Sequence, residues 1–208
     1  MPGPVLPPLS AAPEASASDA ALARAAALGD DQACFAIWKK YTPLVQRVAQ
    51  RFFGPGPEHS DVCQEAFLRV FKRIKEIRDP DALAGFIISV TLGVARNEAR
   101  RQRIRGIVGL RPTDELPPES GTRYNPEARE EVAALYRLLG KLSAYERSLF
   151  VARYVEKMEV AEVAVVHHVS LSTAKRHLRK VADRLDHRMR DEPALSDYVG
   201  RLLERTLP

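Results

Sequence analysis

Apolar positions recur every three to four residues along nearly the whole chain, and the strict alternation of a half-buried strand is almost absent, so the pattern predicts helices throughout. An Ala-rich helix is expected over Ala20–Leu28, ended by Gly29. The segment Asp31–Phe53 spaces Phe35, Trp38, Tyr41, Val45, Val48 and Phe52 as one apolar face, and Gly54-Pro55-Gly56-Pro57 stops it. Ser60 and Asp61 then offer a cap and a first-turn acid. Val62, Ala66, Phe67, Val70, Phe71 and Ile74 form the stripe of the helix that follows. Asp79-Pro80 is a cap followed by proline at the first helical position. It opens a helix from about Asp81 to Arg105, apolar in its first half and basic in its second.

Gly106–Asn125 breaks the periodicity. It holds Pro112, Pro117, Pro118 and Gly121 and reads as an extended or disordered linker. Asn125-Pro126 starts a helix that runs to about Lys141, and Ser143-x-x-Glu146 is a capping box ahead of Leu149, Phe150 and Val151. A short helix Val160–His167, a tight turn and a very basic helix come next. That succession has the shape of a helix-turn-helix, whose second helix enters a DNA major groove. The predicted fold is all-α, with two small helical domains at residues 20–105 and 126–190 joined by the linker 106–125. Residues 1–19 form a tail, and 191–208 an extension in which Leu195–Leu207 is amphipathic.

Composition narrows the function. The 208 residues carry a net charge of +5, which favours a polyanionic partner. The first 20 residues are rich in Ala, Pro and Ser without a basic start, unlike a secretory signal. No run of 18 apolar residues exists, so no membrane insertion is expected. Cys34 and Cys63 are not in Cys-x-x-Cys spacing and sit among apolar neighbours, as buried thiols of a reducing cytoplasm do. His167, His168 and His177 lack a further ligand at a familiar metal spacing. Phosphate-loop, dinucleotide and nucleophile-elbow motifs are absent, so neither catalysis nor a cofactor is expected.

Three polar groupings remain. In the last basic helix Ala174, Leu178, Val181 and Leu185 face the core, which turns Lys175, Arg176, Arg179 and Lys180 outward to reach phosphates or base edges. Ser170, Ser172 and Thr173 lie at its start, where hydroxyls and backbone amides suit phosphate. The upstream segment Arg96–Arg105 has five arginines and one Glu, fitting a phosphate-tracking surface or a solvated helix end. Asp61, Gln64, Glu65 and Arg69 share the polar side of their helix, and spacing alone makes them no more than an exposed face.

With these residues in hand, Asp31–Asp186 resembles the extracytoplasmic-function (ECF) group of bacterial RNA polymerase sigma factors. The stretch from Asp61 to Phe71 is similar to region 2.2, with its Asp-x-x-Gln-Glu-x-Phe pattern. Phe86–Arg101 is similar to the end of region 2, and Leu142–Leu185 to region 4. The resemblance implies that core RNA polymerase and promoter DNA are partners, with an anti-sigma factor a further candidate. It implies that Asp61, Gln64, Glu65 and Arg69 meet the polymerase. Arg78, Asp79, Arg96, Asn97, Arg100 and Arg101 would hold the opened −10 element, the loop Arg78–Leu83 and Asn97 helping to capture an unpaired base. Ser170, Ser172, Thr173, Lys175, Arg176 and Arg179 would read the −35 duplex. His168 stands where the family usually has glycine, Ile87 near a usual tryptophan, Ala174 at a usual valine and Arg176 at a usual small residue. The alternatives are a stand-alone helix-turn-helix regulator and a sigma-like adaptor that no longer opens promoters.

Overall fold

A computed structural model describes residues 18–54, 59–104 and 126–189. The predicted linker, the C-terminal extension and nearly all of the predicted tail lie outside these residues. The first unit starts with α1 (Asp19–Ala27), which Ser18 caps by accepting from the amide of Ala21 at 3.2 Å. Gly29 takes the left-handed conformation that ends it. Asp30 then caps α2 (Asp31–Phe53), accepting from the amides of Gln32 and Ala33. Next come α3 (His59–Arg73), a 3-10 turn at Ile74–Glu76, a second at Pro80–Ala82, and α4 (Leu83–Ile104). Helices α2, α3 and α4 pack on one another, and α1 lies along α2.

One face of α2 differs from the expected stripe. Stepping back from Val45 by fours gives Tyr41, Ile37 and Ala33, and these are the buried residues. Stepping back from Tyr41 by threes gives Trp38 and Phe35, which are 45% and 47% exposed and stack on each other at 5.7 Å. Helix α1 packs against α2, and its own buried residues, Ala20, Ala23 and Ala26, are small. Two further expectations shift. Helix α3 begins at His59, so Ser60 lies inside it and does not precede it. Cys34 and Cys63 are half-buried, not enclosed.

The second unit comprises α5 (Pro126–Gly140), α6 (Ala144–Phe150), α7 (Val160–Val166) and α8 (Leu171–Met189). The capping box is formed: Ser143 accepts from the amide of Glu146, and the Glu146 carboxylate accepts from the amide of Ser143 at 3.0 Å. Helix α6 runs into a widened π-turn at Val151–Val155, a form that aims side chains differently from a regular turn. Lys157 at φ 57° and His168 at φ 53° are the two non-glycine residues in the left-handed region among those described. His168 sits in the turn of the helix-turn-helix, where the sequence reading placed the departure from glycine. The core positions Ala174, Leu178, Val181 and Leu185 are buried as expected.

The two units touch. Helix α4 packs against α6 and α7, and α2 against the π-turn. None of the described helices is long and apolar enough to cross a membrane.

Candidate functional site

The helix-turn-helix presents a basic ridge. Burial of Ala174, Leu178 and Val181 rotates Lys175, Arg176, Arg179 and Lys180 to the exposed side of α8. Its cations divide by position. Arg184 pairs with Glu146 at 2.7 Å, and Arg188 donates to the carbonyl of Lys141, so the C-terminal half is tied to α6 and the end of α5. Among the described residues no ion pair holds Lys175, Arg176 or Arg179, which leaves the N-terminal half available to a polyanion. The Glu146 carboxyl is drawn two ways. Burial works to raise its pKa, while the hydrogen bonds from Ser143 and the Arg184 charge outweigh it and hold the group below the usual range.

The hydroxyls at the start of α8 are partly committed to the helix itself. Ser170 is the cap, its Oγ accepting from the Thr173 amide at 3.2 Å and bonding the hydroxyls of Ser172 (3.0 Å) and Thr173 (2.9 Å). Ser172 is exposed and Thr173 half-buried. The phosphate-facing assets of this end are therefore first-turn amides steadied by a hydroxyl cluster, more than free hydroxyls.

In the first unit, Asn97, Arg100 and Arg101 are exposed on the last turns of α4, with Glu98 within 3.7 Å of Arg101. Arg78 and Asp79 are exposed at the opposite end, where the Asp79 carboxylate caps the 3-10 turn by accepting from the Asp81 amide. Fourteen residues of α4 separate Leu83 from Asn97, about 21 Å at the helical rise. The −10 candidates thus form two groups, one at each end of the helix.

Asp61, Gln64, Glu65 and Arg69 do share one side of α3, with Asp61 and Gln64 exposed. Arg69 Nε donates to Glu65 Oε1 at 2.6 Å, so those two charges are already partnered. In the midst of this face stands Leu68, 60% exposed. It escaped the sequence reading, although it lies four residues after Gln64 and seven after Asp61 and so had to share their face.

Arg96 differs from its neighbours. It is half-buried against the second unit, with Nη1 donating to His167 Nδ1 at 3.1 Å and its guanidinium 5.7 Å from the centroid of the Tyr145 ring. Both His167 and His177 stand edge-on to that ring, and the Tyr145 hydroxyl shares a 3.1 Å hydrogen bond with His177 Nδ1. Burial, then the Arg96 charge, pushes the His167 imidazole down to about 4, so it is neutral and able to accept from Arg96. Burial also lowers Arg96 and raises Tyr145, the charge of each partner working against the shift. No spacing in the sequence could join Arg96 to residues more than 45 positions away; only the packing of α4 on α6 and α7 does so. His167 and His177 thus meet through a tyrosine, and His168 stands apart in the turn.

Two comparisons bear on these faces. The sigma-70 region 2 model matches residues 37–104, and the sigma-70 region 4 model matches residues 133–185. Together they take in more than half of the chain, and each falls within one of the two helical units. No curated protein matches. Among solved structures, that of CnrH in complex with the cytosolic domain of CnrY is similar, with a TM-score of 0.59 and 20% identity. The match covers 84% of this chain and 98% of that one, and at this identity it is a likeness of fold.

Proposed function

This chain belongs to the sigma-70 family and directs promoter-specific transcription, with regions 2 and 4 in the ECF-type layout; from that premise we propose how its faces divide the work. Sigma factors bind DNA and polymerase, and the polymerase does the chemistry. Core RNA polymerase and promoter DNA are its partners.

The α3 face of Asp61, Gln64, Glu65 and Arg69 docks on core polymerase, with Leu68 as its apolar centre. An exposed leucine beside the paired charges of Glu65 and Arg69 is the kind of anchor that a protein interface desolvates. The last turns of α4 hold the opened −10 strand through Asn97, Arg100, Arg101 and Arg96. Arg78 and Asp79 at the other end engage a different nucleotide, since about 21 Å exceeds the reach of one base. Stacking or hydrogen bonds worth a few kcal/mol must offset the unstacking of each captured base. Helix α8 reads the −35 duplex through Lys175, Arg176 and Arg179, while Ser170, Ser172 and Thr173 set its N-terminus against phosphate. We draw the first domain over 20–105 and the second over 126–190, joined by 106–125. The 1–19 tail and the 191–208 extension flank them. The chain acts in the cytoplasm with its polymerase.

The observation that carries this reading is the division of outward basic faces between two helical units, each matching its own sigma-70 region in the expected order. An anti-sigma partner is proposed by analogy with CnrH, whose structure holds the cytosolic domain of CnrY. The test is run-off transcription from a genomic fragment library with core polymerase, with and without the chain. Discrete new transcripts sharing two upstream elements are expected. Co-elution with polymerase but no transcripts would leave the adaptor, and neither would leave the stand-alone regulator.

A further inference from the structure

Among the described residues of α8, one large apolar side chain stands outside the core. Leu171, the first residue of the helix, is 47% exposed, while Ala174, Leu178, Val181 and Leu185 are buried. Ser170 and Ser172 on either side of it are exposed as well. Its backbone is held firmly. The Ser170 carbonyl accepts from the Ala174 amide at 2.9 Å, and Ser170 Oγ caps the same turn through the Thr173 amide.

A lone exposed leucine is ordinary where nothing else marks its place. Here its register marks it. Lys175 follows four residues later and Arg179 eight, so the three form one row along α8, each about a turn from the next and all exposed. The row starts at the end of a recognition helix whose residues reach base edges. Its members differ in what they can read. Lysine and arginine donate to the O6 and N7 acceptors of guanine, whereas leucine has neither donor nor acceptor. The group in the major groove that suits an apolar side chain is the C5 methyl of thymine.

We propose that Leu171 is a specificity residue of the −35 readout, packing on the C5 methyl of a thymine. The proposal rests on α8 as the reader of the −35 duplex, and it adds a base identity that the cations of the ridge do not supply. The row also sets a spacing. Four residues of helix advance about 6 Å, against about 3.4 Å for each base pair, so the thymine lies about two base pairs from the one read by Lys175. Val165 is 74% exposed on α7, the helix that crosses the DNA backbone and does not enter the groove. It is the apolar control.

The experiment selects duplexes from a randomised library with the full chain loaded on core polymerase. Each thymine of the enriched upstream element is then replaced by deoxyuridine, which removes the methyl and nothing else. At one position the replacement should weaken binding about fourfold, the worth of one buried methyl. Leu171→Ala should bind the thymine duplex about fourfold more weakly and treat thymine and deoxyuridine alike at that position. Leu171→Met should recover the distinction, because it restores apolar reach. Lys175→Ala should weaken both duplexes equally, and Val165→Ala should change neither. Helix content and co-elution with core polymerase should be the same for the parent and every variant. Equal binding of thymine and deoxyuridine at every position, or a methyl preference that survives Leu171→Ala, would overturn the proposal. So would loss of polymerase from Leu171→Ala, which would place the leucine on the polymerase. No enriched upstream element would sink the −35 reading and this proposal with it, whereas an enriched element blind to the methyl sinks this proposal alone.

Discussion

His167 should make stability depend on pH in a window that can be worked out in advance. Its folded pKa is about 4, held below the ordinary 6.5 by burial and by the Arg96 charge. Only 6% of the residue is exposed, so solvent screens little of this effect. Above pH 7 the imidazole is neutral in folded and unfolded chains alike, and it contributes no slope. Between pH 6.5 and 4 the unfolded chain takes up a proton that the folded chain refuses, so stability falls as pH falls, by about 1.4 kcal/mol per unit. The loss reaches about 2 kcal/mol at pH 5 and about 3 kcal/mol at pH 4. Urea unfolding followed by far-ultraviolet ellipticity at pH 7.5, 6 and 5 measures it. His167→Gln keeps an acceptor for Arg96 but cannot titrate. Its loss of stability between pH 7.5 and 5 should be smaller than that of the wild type by about 2 kcal/mol. The comparison is between pH values within each protein, so a general weakening of the variant does not enter. Equal pH dependence in both proteins would refute the argument and mean that His167 accepts its proton without loss of the contact.

Three further outcomes are expected. His168→Gly should raise stability by about 1 kcal/mol in thermal unfolding, because φ 53° strains a residue with a Cβ and suits glycine; no gain would mean that the imidazole makes up the difference. Arg176→Ala and Arg179→Ala should each weaken duplex binding and reduce the slope of log affinity against log salt by about 1, and an unchanged slope would take α8 off the DNA. Leu68→Glu and Gln64→Ala should weaken co-elution with core polymerase at unchanged helix content, and undiminished co-elution would move the polymerase contact to another face.

Local signals in the sequence carried most of the fold. The capping box at Ser143 and Glu146, the proline start at Asp79-Pro80 and the core positions of α8 were all readable because each depends on residues within a turn or two. The register of α2 was not, since Phe35 and Trp38 fit a helical stripe as well as Ala33 and Ile37 do. Only the partner helix α1 decides between a face of large aromatics and one of small residues that packs closely. The same distinction applies to the candidate site. Outward cations on α8 follow from which positions are buried, a local matter. The fate of Arg96 depends on α4 meeting α6 and α7, and no pattern in Arg96–Arg105 distinguishes one arginine of that run from the next.

That single difference has a thermodynamic consequence. Arg100 is exposed on α4 and Arg101 has only the Glu98 carboxylate at 3.7 Å, whereas Arg96 is held by His167 of the second unit. The polar contacts between the units are individually modest beside the apolar core the units share. Ion pairs of half-exposed arginines contribute about 0–1 kcal/mol each, and a cation over an aromatic ring about 0.5–1. Glu156, paired with Arg47 and Arg51 of α2, is the exception in kind, since its carboxylate is shielded from water and stranding it there without them would cost several kcal/mol. The bulk of what joins the units is one apolar core, and Glu156 and Arg96 are charged groups set into it, so each matters less for how much area is buried than for which partner must stay beside it.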